Sequence, residues 1–310
     1  MPPEQFAARL RLLQDRGYHV LALDHALRHL YAKSLPPRSV AITFDDGYAD
    51  FYTRALPLLA EHGYPATVYL TTYYCDYNRP VFDGICSYLL WKGRGQCIAA
   101  DGLDAKGAVL DLRSARGRAA ALARLRASAA RRGLSAVQKD ALAAELASRV
   151  GVDYDALLAR RILHLMRPEE VRALPRDLVD VQLHTHRHRT PRDFVHFGEE
   201  IWQNRRRIDA LQRPAVERAH FCYPSGMFEP ELLPWLRALR VRSATTCRPG
   251  IASARSDPLL LPRLIDTSRL SLLEFEAWAS GVAPLLPRRR HEPPHRANYS
   301  MNSDTGANIA

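Results

Sequence analysis

Two short stretches of this 310-residue sequence place side chains that could do chemistry together: VAITFDDGYAD at 40–50 and LHTHRHRTP at 183–191. Asp45 and Asp46 stand side by side behind an apolar run and just ahead of Gly47. Two carboxylates forced together repel unless something positive joins them, so the pair asks for a cation. The plainer reading is an Asp-Asp-Gly turn that caps the next helix. In the second stretch His184, His186 and His188 fall within five residues. His184 and His188 share a side if the chain turns helical there; His184 and His186 share a face if it stays extended. Imidazole plus carboxylate with positions left open makes a metal site, most often for zinc, and a catalytic zinc uses three protein ligands. Two histidines and Asp46 would fill that number. Asp45 would then stay free beside the ion.

Both stretches need strands that end where the chemistry begins. Val40 to Phe44 is a short β-branched apolar run between Pro36-Pro37 and Gly47, and ATVYLT at 66–71 is a second. Between them a helix over about 50–62 stops at HGYP, where Gly63 suits a C-cap. Strand, helix, strand at that spacing is a βαβ unit and implies a parallel α/β sheet or barrel. Catalytic groups gather at the C-terminal edge of such sheets, and Asp45–Asp46 lie there. Upstream, residues 3–33 read as two helices around GYHVLAL, with Asp24 as an N-cap. Downstream, LVDVQLH at 178–184 predicts the strand that delivers His184, and further strands are expected at RAHFCYP, RSATTC and LPRLI. Helices are expected at RPEEVRAL and over about 194–212, 229–240 and 271–281.

Residues 75 to 165 break that alternation. Ala, Arg and Leu dominate, and Ser135 as a cap with Gly133 and Gly151 as stops predicts two or three surface helices. From Lys92 to Arg161 there are 14 basic and 7 acidic side chains, a large share of the chain's net charge of +11. A solvated basic face is the plainer reading; an anionic substrate or membrane surface is the sharper one. No nucleic-acid module or aromatic-interleaved basic patch is present, so no nucleic-acid partner is expected. The cysteines, Cys75, Cys86, Cys97, Cys222 and Cys247, are odd in number, widely spaced and without a CxxC, which argues against a disulfide framework and a zinc ribbon. Reduced thiols, no signal-peptide pattern at the start and no apolar run near about 18 residues point to a cytoplasmic protein without a transmembrane segment. Residues 281–310 are polar and read as a disordered tail.

TFDDG at 43–47, HTHRH at 184–188 and FCYPSG at 221–226, each after an expected strand and in that order, resemble the three motifs of the polysaccharide deacetylase superfamily, the NodB-like family-4 carbohydrate esterases. The likeness runs over roughly residues 1–280, since RLRLLQDRGYHVLALDHAL and LPLLAEHGYPATVYL are also similar to members' sequences. The resemblance implies a distorted (β/α)7-type barrel, the NodB homology fold, with 75–165 as a helical insertion. It implies Asp46, His184 and His188 as ligands of a divalent metal, zinc before other divalent transition metals, with Asp45 as catalytic base. Thr185 would brace the loop, His186 would not bind the ion, and the backbone N–H of Ser225 would face the oxyanion. The implied activity is removal of N-acetyl groups from a saccharide or glycan precursor. A same-fold hydrolase of a small amide and a noncatalytic saccharide-binding relative are the alternatives.

Two departures bear on the chemistry. Cys222 stands where the family's third motif commonly begins with an Arg that orients the base, and a thiol cannot pair with Asp45. Arg263 in LPRLI is the candidate substitute; otherwise it is a surface Arg. The family's late histidine, its general acid, has no counterpart between Cys222 and Arg290, and His291 and His295 lie in the tail. The expectation is therefore that Asp45 takes the water's proton and then returns it to the leaving nitrogen.

Overall fold

The computed structural model describes residues 1–104, 107–212, 217–226 and 228–283. The expected tail lies outside the described residues from 284 onward, and His291 and His295 with it. Chain order is α1 (Pro3–Asp15), β1 (His19–Val20), α2 (Leu23–Tyr31), β2 (Ser39–Val40) and β3 (Ile42–Asp46). A π-helical turn, Phe51–Ala55, runs into α3 (Leu56–His62), because Pro57 has no N–H to give an ordinary helical bond. Gly63 ends α3 in the left-handed region at φ 63°, and β4 (Ala66–Leu70) follows.

β3, β4, β7 (Val179–Leu183), β8 (His220–Cys222) and β9 (Ser243–Thr245) form one parallel sheet in that spatial order, curled into a half-barrel. The α/β reading holds. β1 adds parallel to β2, one residue ahead of β3, and Leu261 makes a parallel bridge to Thr245 at the other end. LPRLI is thus a single bridge and not the strand expected, since Pro262 cannot continue the ladder. β4 is buried throughout, as a central parallel strand covered on both faces must be. Its Val68 and Leu70, with Val181, Leu183 and Phe221, face the main core and meet Leu59 of α3 and Phe197 and Ile201 of α10 (Phe194–Leu211). Each such side chain stabilises the fold by about 1.5–3 kcal/mol when fully buried. The other face encloses Tyr69 and Cys222 against Leu23 of α2. Asp24 does not cap α2; Ala22 holds that position without a side-chain bond. Asp24 instead reaches His220 at 3.2 Å and Arg242 at 3.1 Å.

Between β4 and β7 the chain is richer than two or three surface helices. It holds α4 (Tyr73–Tyr77), α5 (Phe82–Lys92), α6 (Ala115–Arg131), α7 (Ala136–Arg149) and α8 (Tyr154–Ala159). It also holds an antiparallel ribbon of β5 (Cys97–Ala99) and β6 (Val109–Asp111). Leu89, Leu103, Leu125 and Leu146 form a second hydrophobic core inside it, so these helices are more than a surface layer. Ser135 caps α7 in a full capping box with Gln138. Much of the basic charge is already paired: Arg124 and Arg131 bind Asp104 at 2.9 and 3.0 Å, and Arg126 binds Asp83 at 2.8 Å. α9 (Pro168–Arg172), α11 (Leu232–Ala238) and α12 (Leu272–Ala279) complete the described helices. None of the described helices is long and apolar enough to cross a membrane.

The turn after β3 is the tightest point near the sheet edge. Asp46 sits at φ 66° and Gly47 at φ 84°, and a Cβ on Gly47 would lie 2.3 Å from Leu70 Cδ1. Gly47→Ala should therefore cost roughly 1–3 kcal/mol in urea unfolding; a loss below about 0.5 kcal/mol would show that the turn relaxes freely.

Candidate active site

β3 ends at Asp46 and β7 at Leu183, and both pair with β4 so that Asp46 lies opposite Leu70 and Leu70 opposite Leu183. Asp46 and His184, the residue after β7, therefore emerge at one level of the sheet's C-terminal edge. His184 Nε2 and His188 Nε2 each approach Asp46 Oδ1 to 3.1 Å, with ring centroids 5.1 Å apart. Thr185 and His188 have φ of 62° and 53°, so the backbone doubles back tightly enough to turn both rings toward one point. These three side chains offer donor atoms within 4.8 Å of one another. The donors suit a metal. His184 Nδ1 lies 2.8 Å from the Cys222 carbonyl, which can only accept, so Nδ1 carries the proton and Nε2 keeps its lone pair for an ion. Burial pushes the Asp46 carboxyl up, but the two imidazoles pull it well below the ordinary range.

Asp45 points elsewhere. Arg263 Nη1 donates to its Oδ1 at 2.8 Å, Nη2 donates to its Oδ2, and Nη1 also reaches Thr43 Oγ1 at 3.1 Å. Nε donates to the Thr246 carbonyl at 2.9 Å, and Nη2 rests on Cys222 Sγ at 3.1 Å. The guanidinium thus enters from beyond β9 and passes over the thiol that stands in the third motif. Asp45, His184 and Cys222 also lie close enough to hold an ion, but Arg263 already supplies the cation beside Asp45 and Cys222. Burial raises the Asp45 carboxyl and Arg263 more than reverses it, so Asp45 is ionised at neutral pH. The adjacent acids have different partners.

His186 is turned away from Asp46: its Nδ1 meets Thr72 Oγ1 at 2.8 Å and its ring stands edge-on to Tyr73. Ser225 is exposed on the loop after β8, at φ 58° within the 3₁₀ turn Pro224–Gly226. Among the described residues no further histidine hydrogen-bonds or pairs with Asp45 or Asp46.

Several positioning groups escaped sequence reading. Asn204 of α10 accepts from the His184 N–H at 3.0 Å and donates to the Leu70 carbonyl and Thr72 Oγ1 at 2.8 and 3.0 Å. Glu200, fully buried on the same helix, accepts from the Arg187 N–H at 2.7 Å and from Arg189 Nε at 2.7 Å. Thr185, which the family resemblance did name, sits with them: its Oγ1 accepts from the Arg189 N–H at 3.1 Å. One helix therefore fixes the loop from both ends. Glu200 and Asn204 are four apart, the spacing of one helix face, but nothing local marked them as partners of a distant histidine loop. Tyr48 is another such group; burial and a hydrogen bond to Asp46 push its phenol well up. The chain leaving the helical segment is tied beside it, with Ala49 N–H donating to the His164 carbonyl and Met166 N–H to the Gly47 carbonyl.

Residues 32–106 match the family model described as Polysaccharide deacetylase. Putative polysaccharide deacetylase YxkH of Bacillus subtilis (strain 168) is 38% identical over 71 residues, 23% of this chain and 25% of that protein. Poly-beta-1,6-N-acetyl-D-glucosamine N-deacetylase of Escherichia coli (strain K12) is 41% identical over 64 residues, 20% of this chain and 9% of that protein. The chain thus spans a quarter or less of these relatives' lengths. In three dimensions it is similar to Streptococcus pyogenes deacetylase PplD in complex with acetate, with a TM-score of 0.57 and 17% identity over 89% of this chain and 86% of that one. IcaB from Ammonifex degensii gives a TM-score of 0.54 at 16% identity over 90% of each chain. At these identities the likeness is one of fold. Fold, motif order and the match over residues 32–106 all support the resemblance to the polysaccharide deacetylase superfamily.

Arg263 yields a test of its own. Without its charge, burial and Asp46 would both raise the Asp45 carboxyl, so the pH above which Asp45 is ionised must rise. Arg263→Gln should move the acid limb of the kcat/KM profile to higher pH by about one unit or more. An unmoved limb with activity retained would mean that Asp45 is not the group titrating there.

Proposed function

We propose that this chain is a polysaccharide N-deacetylase, with Asp46, His184 and His188 holding a divalent ion, zinc first, and Asp45 acting as base. The observation that supports this best is the division of labour between the two acids. Asp46 faces two imidazole nitrogens at 3.1 Å, while Asp45 is gripped by Arg263. An ion held there would polarise the acetamide carbonyl and lower the pKa of the attacking water.

Asp45, ionised and kept in place by the bidentate Arg263, takes the proton as that water attacks. The Ser225 N–H, on a loop held in a left-handed turn, donates to the oxygen that becomes negative in the tetrahedral intermediate. Expelling an amine anion is prohibitively hard, so the nitrogen must be protonated before the C–N bond breaks. The low pKa of Asp45 helps that second half: a proton beside Arg263 is readily given to a more basic amine nitrogen. Acetate leaves and a free amine stays on the sugar. Asp45 serves as base and then as acid.

N-acetylglucosamine polymers are the first substrates to try, because the Escherichia coli relative is named for one. Acetate and new free amine should appear together in equal amounts. Asp45→Asn should lower kcat by about 10²- to 10⁴-fold while the metal content stays at the wild-type level. An Asp45→Asn protein that keeps more than about a tenth of the rate would remove Asp45 from the mechanism.

A further inference from the structure

The helical segment between β4 and β7 carries an aromatic and basic surface that deacetylation does not use. Trp91, at the end of α5, is 47% exposed, although Leu89 and Leu90 beside it are buried in that segment's own core. The Arg94 guanidinium lies 4.4 Å from the centre of a Trp91 ring, and Lys92 Nζ lies 5.9 Å from it. Tyr88, one turn back, stands 6.0 Å from Trp91 and 5.7 Å from Lys92 Nζ, measured at the ring centre. We propose that this end of the segment docks on an anionic lipid surface, with Trp91 seated among the headgroups and Lys92, Arg94 and Arg118 facing their charges.

Charge is the first reason. Besides the pairs at Asp83 and Asp104, Arg79 binds Asp140 at 3.1 Å, Arg113 binds Asp111 at 2.9 Å and Arg149 binds Glu145 at 2.7 Å. Among the described residues no acid pairs with Lys92, Arg94 or Arg118. Arg94 Nη1 donates only to the Trp91 carbonyl, at 3.2 Å. Arg118 Nη1 donates to the Leu112 carbonyl at 2.9 Å, the same oxygen that accepts from the Gly95 N–H. Three unmatched cations therefore border one turn of chain, beside an exposed indole.

Shape is the second. Residues 91–97 are exposed apart from Gly93, which is buried where a Cβ would come within 2.6 Å of Val150 Cγ1. The turn is thus seated on the segment's core at one point and projects around it. A projecting surface suits a plane of headgroups better than it encloses a chain. Trp and Tyr rings settle at headgroup level, where the apolar body and the polar N–H or O–H are both satisfied, and basic side chains reach the phosphates. A protein partner would ask for more apolar area than one indole and a partly buried phenol provide. None of these residues belongs to the strands and loops that bear Asp45, Asp46, His184 and His188, so the contact stands apart from the chemistry.

The test is sedimentation of the full chain with vesicles of phosphatidylcholine alone, and with vesicles in which roughly a third of the lipid is phosphatidylglycerol. A basic side chain near an anionic surface contributes about fivefold, so three predict binding about 10²-fold tighter to the anionic vesicles. Raising salt from about 0.1 to about 1 M, which shortens the Debye length from about 10 to about 3 Å, should weaken that binding about tenfold or more. Lys92→Ala/Arg94→Ala should lower the partition about twentyfold. Brominated lipid should quench part of the tryptophan emission, and Trp91→Phe should abolish that quenching although the other tryptophans remain. The three substituted side chains are exposed, so the variants report on the surface and not on folding. A partition unmoved in the double variant, or quenching that persists in Trp91→Phe, puts the lipid contact elsewhere on the chain and overturns the proposal. Equal binding to both kinds of vesicle, or to neither, overturns it as well and leaves an acidic protein surface as the partner to seek.

Discussion

The shared register of β3, β4 and β7 is the constraint on which the site depends. Asp46 pairs across from Leu70, and Leu70 from Leu183, so the first acid pair and the histidine loop leave the sheet at one height. A slip by one residue would turn Asp46 and His184 to opposite faces. The buried faces of β4 and β7 forbid that slip, because Val68, Leu70, Val181 and Leu183 would leave the core together. Hydrophobic burial far from any chemistry thereby sets where two imidazoles meet a carboxylate.

Holding that arrangement requires buried polar groups, which are costly unless fully paired. The pairing comes from two directions. α10 supplies Asn204 and Glu200 to the loop after β7, and the chain beyond β9 supplies Arg263 to Asp45. The first sets where the histidine nitrogens point. The second keeps Asp45 ionised and apart from Asp46, so adjacent acids can have different partners within one turn of chain.

The strand-ending acids and the histidine triplet were legible because strand periodicity and residue chemistry coincide there. His184, His188 and Asp46 could be named, but the choice of His188 over His186 rested on the family resemblance, since period alone admitted both. It is the left-handed backbone at Thr185 and His188 that turns the rings together, and no composition rule signals that for Thr or His. Arg263 could be nominated only as a substitute for the arginine missing at Cys222. Its reach to Asp45 spans 218 positions of sequence and depends on the curl of the sheet. The helical segment was read as surface because alanine-rich sequence hides a core. Leu89, Leu125 and Leu146 come from three separate helices and Leu103 from the turn after β5, and their packing is not visible in any one window. Asp24 looked like a cap on local grounds, yet His220 and Arg242 claim it.

Metal stoichiometry across the histidine variants tests the central claim most directly. Purified protein reconstituted with zinc and freed of excess should hold a single ion per chain. His184→Ala and His188→Ala should each lose most of it, while His186→Ala should retain it, since His186 is bound to Thr72 and faces Tyr73. Loss of the ion from His186→Ala with retention in His188→Ala would contradict the account, replacing the doubled-back loop with an extended His-x-His site.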